Sequence, residues 1–176
     1  MILDLRGNPG GQVIMLERLV GSVIDHDVTV AKRVGRKPDL KPQLAKTHGK
    51  DVFSGKLFVL IDSRSASAAE LFARVVQLEK RGIVLGDLSS GSVMESIIVP
   101  MSQGIDTKIF YAASITEADL IMADGKSLEH NGVTPDEIVL PTAEDLAARR
   151  DPVLARAAEL AGIKLDPAAA GKLFPV

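Results

Sequence analysis

The chain has 176 residues, 46% hydrophobic and 25% charged, enough for one domain with a proper core and unlike a disordered tract. Its net charge of −2 gives no electrostatic basis for binding nucleic acid, which needs a basic stripe or patch. Cysteine is absent, which excludes disulfides, thiolate metal sites and a cysteine nucleophile, and no apolar run reaches the roughly 18 residues of a membrane helix.

In chain order, residues 1–5 form a short apolar run that reads as a buried strand, closed by the turn signals of Arg6-Gly7-Asn8-Pro9-Gly10-Gly11. A chain that opens inside a core strand, with no visible signal peptide, leads to the expectation that the natural N-terminus lies further upstream. Residues 12–24 have helical spacing, with Val13, Leu16, Leu19, Val20 and Val23 on one face. Residues 28–34 alternate as a strand does. Residues 35–55 are polar, contain Pro38, Pro42 and His48, and read as a long surface excursion. The continuous apolar run 57–61 predicts a buried strand. Residues 63–67 then open a helix reaching about residue 80, with Ala68, Leu71, Phe72 and Val75 sharing a face.

Residues 83–85 read as another buried strand, and 93–101 and 108–114 as two strands around a turn at Gln103-Gly104. Thr116, with Asp119 three residues on, predicts the cap of a short helix. Asp124-Gly125 and Asn131-Gly132 are turns, and 137–140 is a short last strand. From residue 142 the chain is helical: Asp151-Pro152 is an N-cap followed by proline at the first helical position, and Gly162 stops that helix. Strands alternating with helices predict an α/β fold. Residues 1–141 form the core, residues 142–176 a helical extension of the same domain, and no second domain is indicated.

Three constellations carry chemistry. Ser65-Ala66-Ser67-Ala68-Ala69-Glu70 sits where a buried strand turns into a helix, so a serine there is exposed on a sharp turn. The helix start supplies free N–H groups and positive partial charge, which favour an alkoxide or oxyanion. The plainer alternative is that these serines only cap the helix. Asp4-Leu5-Arg6-Gly7-Asn8-Pro9-Gly10-Gly11 lies at another strand-to-helix junction, where paired glycines can expose N–H groups as an oxyanion hole requires. A simple tight turn is the alternative, and a phosphate loop is disfavoured because no Gly-Lys-Ser/Thr follows. The third is Leu128-Glu129-His130-Asn131-Gly132-Val133-Thr134-Pro135-Asp136. In an extended segment the adjacent Glu129 and His130 point opposite ways.

In this order the motifs resemble the tail-specific (C-terminal processing) serine peptidases, a family that includes the tricorn core protease; the resemblance runs from residue 1 to about residue 140. It implies an α/β fold with a ClpP/crotonase-like core: a mixed sheet superhelix with the two helices packed on it. It implies that Ser67 is the nucleophile of a serine endopeptidase working through an acyl-enzyme. The N–H groups of Ala68 and of Gly10 or Gly11 then form the oxyanion hole. The best-known branch has a base lysine in a Gly-Lys-Gly turn; Ser92 stands at that position here, and Ser96 where a glutamine is expected. The tricorn-like branch pairs serine with histidine supported by glutamate, which Glu129 matches, but its histidine lies upstream of the Asp-Leu-Arg motif. Residues 1–176 therefore read as an incomplete form lacking its base, or alternatively as an inactive peptidase-like binding or scaffold domain. A crotonase-like acyl-thioester enzyme is a third possibility, against which Ser67 and Glu129 argue.

A polypeptide substrate follows from the resemblance. So does the homo-oligomer, or docking to an upstream region, that exposed apolar surface favours. No metal or organic cofactor is implied. Lysine-type relatives are usually periplasmic or otherwise extracytoplasmic.

Overall fold

The computed structural model describes residues 1–173. Its elements run β1 (Ile2–Asp4), α1 (Val13–Val23), β2 (Val28–Gly35), β3 (Gln43–Ala45), a 3-10 turn at Gly49–Asp51, β4 (Phe58–Ile61), α2 (Ala68–Leu78), β5 (Ile83–Gly86), β6 (Glu95–Gln103), β7 (Ile109–Ile121), β8 (Glu137–Ile138), α3 (Ala143–Ala147), α4 (Pro152–Leu160) and α5 (Pro167–Leu173). Residues 174–176, part of the expected helical extension, lie outside the described residues.

Two four-stranded sheets organise the chain. The first is parallel, in the order β1-β4-β5-β8. The second is antiparallel, in the order β3-β2-β7-β6. The parallel sheet is buried on both faces, and β4 shows why its sequence is continuously apolar. Successive side chains of a strand point to opposite faces. Val59 and Ile61 pack with Leu16, Val20, Phe72 and Val76 of the two helices α1 and α2. Phe58 and Leu60 pack on the other side with Leu85, Val153, Leu154 and Ala157. This is the mixed α/β arrangement that the sequence pattern predicts.

Three expectations are corrected. Residues 35–55 are not merely a surface excursion: they contain β3, whose Gln43 and Ala45 are buried against the core. Thr116 and Asp119 do not begin a helix but lie inside β7, where Thr116 pairs with Ser96 and Asp119 with Val34; pairing to two strands outweighs a local capping signal. Residues 1–5 are less buried than the pattern suggests, because β1 is an edge strand with Ile2 and Leu3 only half-covered.

Candidate active site

The site forms where two strand-to-helix turns meet. After β4, Ser65 is fully buried, and its hydroxyl donates to the Leu5 carbonyl at 2.8 Å and accepts the Asp62 N–H at 3.0 Å. Asp62 in turn accepts the Gly7 N–H at 2.8 Å. Burial alone would raise the Asp62 carboxyl, but the N–H groups of Gly7 and Arg64 and the Ser65 hydroxyl outweigh it and hold the carboxyl below its ordinary value. The Ala66 N–H donates to the Asn8 carbonyl at 2.9 Å. Ser65 thus ties the two turns together.

Ser67 is different. It is half-buried, stands as the N-cap of α2, and makes no side-chain capping hydrogen bond. The Glu70 N–H goes instead to the Ser67 carbonyl, at 3.0 Å. The Ser67 backbone has φ 54° and ψ −118°, an uncommon conformation for a residue with a side chain, of order 1–3 kcal/mol above the ordinary wells. It is held by its own N–H, which reaches the Ser92 carbonyl at 3.0 Å and Glu70 Oε2 at 2.9 Å.

The glycine turn closes against this serine. A Cβ on Gly10 would stand 2.6 Å from Ser67 Cβ and 3.0 Å from the Ala68 nitrogen. The Gly10 N–H donates to Asn8 Oδ1 at 2.8 Å. Among the described residues no hydrogen bond engages the N–H of Gly11 or of Ala68. Of the glycine pair, then, Gly11 retains the free donor, and Gly11, Ser67 and Ala68 line one cavity of about 120 Å³.

Glu70 received no role from the sequence. It is fully buried, and its carboxylate accepts from the Ser89 hydroxyl at 2.5 Å and from the N–H groups of Gly91 at 2.7 Å, Ser92 at 3.1 Å and Ser67. Four donors offset the desolvation of a buried carboxylate and fasten the 89–92 turn beside Ser67. The signal that finds it is a serine followed three residues later by glutamate at a helix start; the glutamate half of that box is the bond from the Ser67 N–H to Glu70 Oε2.

Glu129 accepts the Val93 N–H at 2.6 Å, so it braces the segment after Ser92. His130 sits in a turn, not an extended segment, with φ 61°; its ring is 90% exposed and its Nε2 lies 3.9 Å from Glu129 Oε1, beyond hydrogen-bond reach. His26 bonds to Glu79, the residue that ends α2, roughly 16 Å of helix away from Ser67. The only titratable side chain among those lining the Ser67 cavity is Glu95, which is engaged by Arg33 at 2.5 Å. Gln43, which the sequence left in a loop, also lines that cavity. Among the described residues no three-residue cluster of metal-ligating side chains exists and no helix is long and apolar enough to cross a membrane.

The sequence model of Peptidase family S41 matches residues 1–139. The chain is 28% identical over 142 residues to the carboxy-terminal-processing protease of Bartonella bacilliformis, covering 78% of this chain and 30% of that protein. It is 30% identical over 142 residues to the tail-specific protease of Haemophilus influenzae, covering 77% of this chain and 20% of that protein. The chain thus spans less than a third of the length of these curated relatives. Among solved structures it superposes on the tricorn protease with a TM-score of 0.63 and 22% identity, over 91% of this chain and 14% of that one. The photosystem II D1 C-terminal processing protease gives a TM-score of 0.61 and 22% identity, over 80% and 34% of the two chains. These likenesses show a ClpP-like fold. A match over 139 of 176 residues, with the two motif-bearing turns inside it, places the chain in peptidase family S41.

Proposed function

We propose that this chain is the nucleophile-bearing core of a serine endopeptidase that cleaves polypeptides by acyl transfer. Ser67 Oγ adds to the scissile carbonyl, and the developing oxyanion is held by the N–H groups of Ala68 and Gly11. Collapse of the tetrahedral intermediate expels the amine with a proton and leaves an ester on Ser67, which water hydrolyses. The observation that carries this reading is a serine on a strained strand-to-helix turn whose hydroxyl is not spent on capping, in one cavity with two N–H groups that no protein acceptor engages. Serine also needs a proton acceptor. The cavity lining offers none beyond the paired Glu95, so on this reading the acceptor comes from outside residues 1–173.

Labelling with a fluorescent serine-directed phosphonate tests this. The chain, or a longer form containing it, labels, and the Ser67→Ala variant does not. Labelling that persists in the variant overturns the assignment. The second reading, an inactive peptidase-like binding or scaffold domain, is favoured by Ser92, which puts a hydroxyl at the position a base lysine takes in the lysine branch and whose backbone carbonyl accepts the Ser67 N–H. Complete inertness of a longer form supports that reading.

A further inference from the structure

Beyond its join to β2, the antiparallel sheet runs out as a two-stranded ribbon. β2 pairs with β7 at residues 118–121, whereas β6 and β7 go on pairing with each other from Ser96 and Thr116 out to Gln103 and Ile109. A two-stranded hairpin by itself is marginally stable at best in water and needs a further strand or a packed face. This one is apolar where it is bare. The cross-strand pairs Ile97–Ile115, Val99–Ala113, Met101–Tyr111 and Gln103–Ile109 fall on one face. Ile97, Met101, Ile109, Tyr111 and Ile115 are all exposed there, Ile109 to 68%. The opposite face carries Ile98 and Phe110 but is broken up by hydroxyls, with Ser114 donating to Ser96 at 3.1 Å. The charged residues between positions 96 and 116, Asp106 and Lys108, both sit in the turn at the tip.

We propose that the Ile97–Ile109 face of the ribbon packs on the same face of a second copy of this chain. The face holds no charge with which to meet a charged partner, so its cover must be uncharged and apolar as well. The chain itself carries such a strip, and two-fold pairing is the symmetry in which one patch meets itself. The strip bares roughly 500–600 Å² on each copy, so a pair buries about 1,100 Å², just above what a specific interface needs. Strand addition at the edge is the competing arrangement. β6 is the edge strand, but Pro100 in its middle removes a donor from the ladder, which is how natural edges resist further pairing. The partner therefore lies on the face, and the assembly closes at two copies. None of this depends on the role of Ser67.

Sedimentation velocity on the 176-residue chain tests it, from about 1 to 200 µM, the range in which an interface of this size dissociates. A reversible monomer–dimer equilibrium is expected. Met101→Glu combined with Tyr111→Lys keeps an attractive cross-strand pair within the ribbon but puts charges into the interface, and is expected to weaken dimerisation by roughly a hundredfold or more. Ile98→Thr, on the other face, leaves the equilibrium unchanged. Because the chain has no cysteine, single cysteines report position. On oxidation, Ala113→Cys is expected to yield covalent dimer roughly tenfold faster than Ala112→Cys, although residue 112 is the more exposed of the two. A chain that stays monomeric at the highest concentration overturns the proposal and leaves the strip to another occupant, such as a region outside residues 1–176. A dimer that the double variant leaves intact, or that Ile98→Thr disrupts, overturns it too. So does growth beyond two copies, which points to strand addition at β6. Should the double variant fail to fold, the cross-linking rates decide, and equal rates at positions 112 and 113 overturn the proposal.

Discussion

Gly10 is the residue on which the convergence of the two turns depends. Its φ of +98° disfavours any side chain, and a Cβ would meet the Ala66 carbonyl oxygen at 2.8 Å as well as Ser67 Cβ at 2.6 Å. Neither neighbour is the free end of a flexible side chain, so the turn itself must move. Gly10→Ala is expected to lower the unfolding free energy by about 2 kcal/mol or more, measured by urea denaturation, and to reduce phosphonate labelling at Ser67. Unchanged stability would show that the glycine turn does not lie against Ser67. Gly91 has the same character in the 89–92 turn: at φ +71°, a Cβ there would crowd the backbone of residues 130–132. The sequence marks such residues as turn glycines. Their closeness to a particular serine is a tertiary fact.

At the scale of elements, the Asp-Leu-Arg segment anchors the C-terminal helices. Arg6 donates through Nη1 and Nη2 to the two oxygens of Asp151 at 2.8 and 2.7 Å while also holding Asp4, and Asp151 caps α4 by accepting the Leu154 N–H at 2.9 Å. Burial works to raise the Asp151 carboxyl, but the Arg6 guanidinium and the Leu154 N–H outweigh it and hold the carboxyl below its ordinary value. A carboxyl depressed in the folded state contributes stability that is complete above its unfolded pKa and disappears as the pH falls through the folded one. Asp151→Asn is therefore expected to destabilise the chain by about 1–3 kcal/mol at neutral pH. The gap between wild type and variant should close as the pH falls through the depressed folded-state pKa of Asp151. Unfolding curves across pH 2.5–7 (roughly the window in which a depressed carboxyl titrates) check this, and a gap independent of pH would remove the ion pair from the account. The Asp151-Pro152 signal for the start of α4 is legible in the sequence. That its carboxylate also grips Arg6, 145 residues away, is not.

For the whole molecule, the parallel sheet needs cover on both faces. One face is covered by α1 and α2 and the other by α4 and α5, with Phe58, Leu60 and Leu85 beneath Val153, Leu154 and Ala170. Exposing three such side chains costs on the order of 5–8 kcal/mol, comparable to the entire stability of a typical domain. We therefore propose that residues 142–173 belong to the same folding unit as the core. A chain ending at Leu140 is expected to be insoluble or to lack a cooperative thermal transition by calorimetry. A folded, soluble truncation would make the C-terminal helices a separate accessory.

The sequence by itself determined the local grammar of this protein. Alternation of apolar runs and helical faces gave the strands β4 and β5 and the helices α1, α2 and α4, because those signals are carried by neighbours in the chain. The order of the Asp-Leu-Arg-Gly, Ser-Ala-Ser-Ala-Ala-Glu and Leu-Glu-His-Asn-Gly segments pointed to the family that the profile match then established. What required three dimensions were the relations between distant segments. Thr116 looked like a helix cap until cross-strand pairing in β7 overrode it. Gln43 lay in a polar stretch whose periodicity was too short to read, and only packing on α1 buried it. Glu70 became a four-fold acceptor because residues 89–92 fold back over it, and Glu129 turned to the Val93 N–H instead of to a histidine. Side-chain identity is written in the chain, but the partner that gives a buried carboxylate its purpose is chosen by tertiary contact, since desolvation acts only once the surrounding segments have closed.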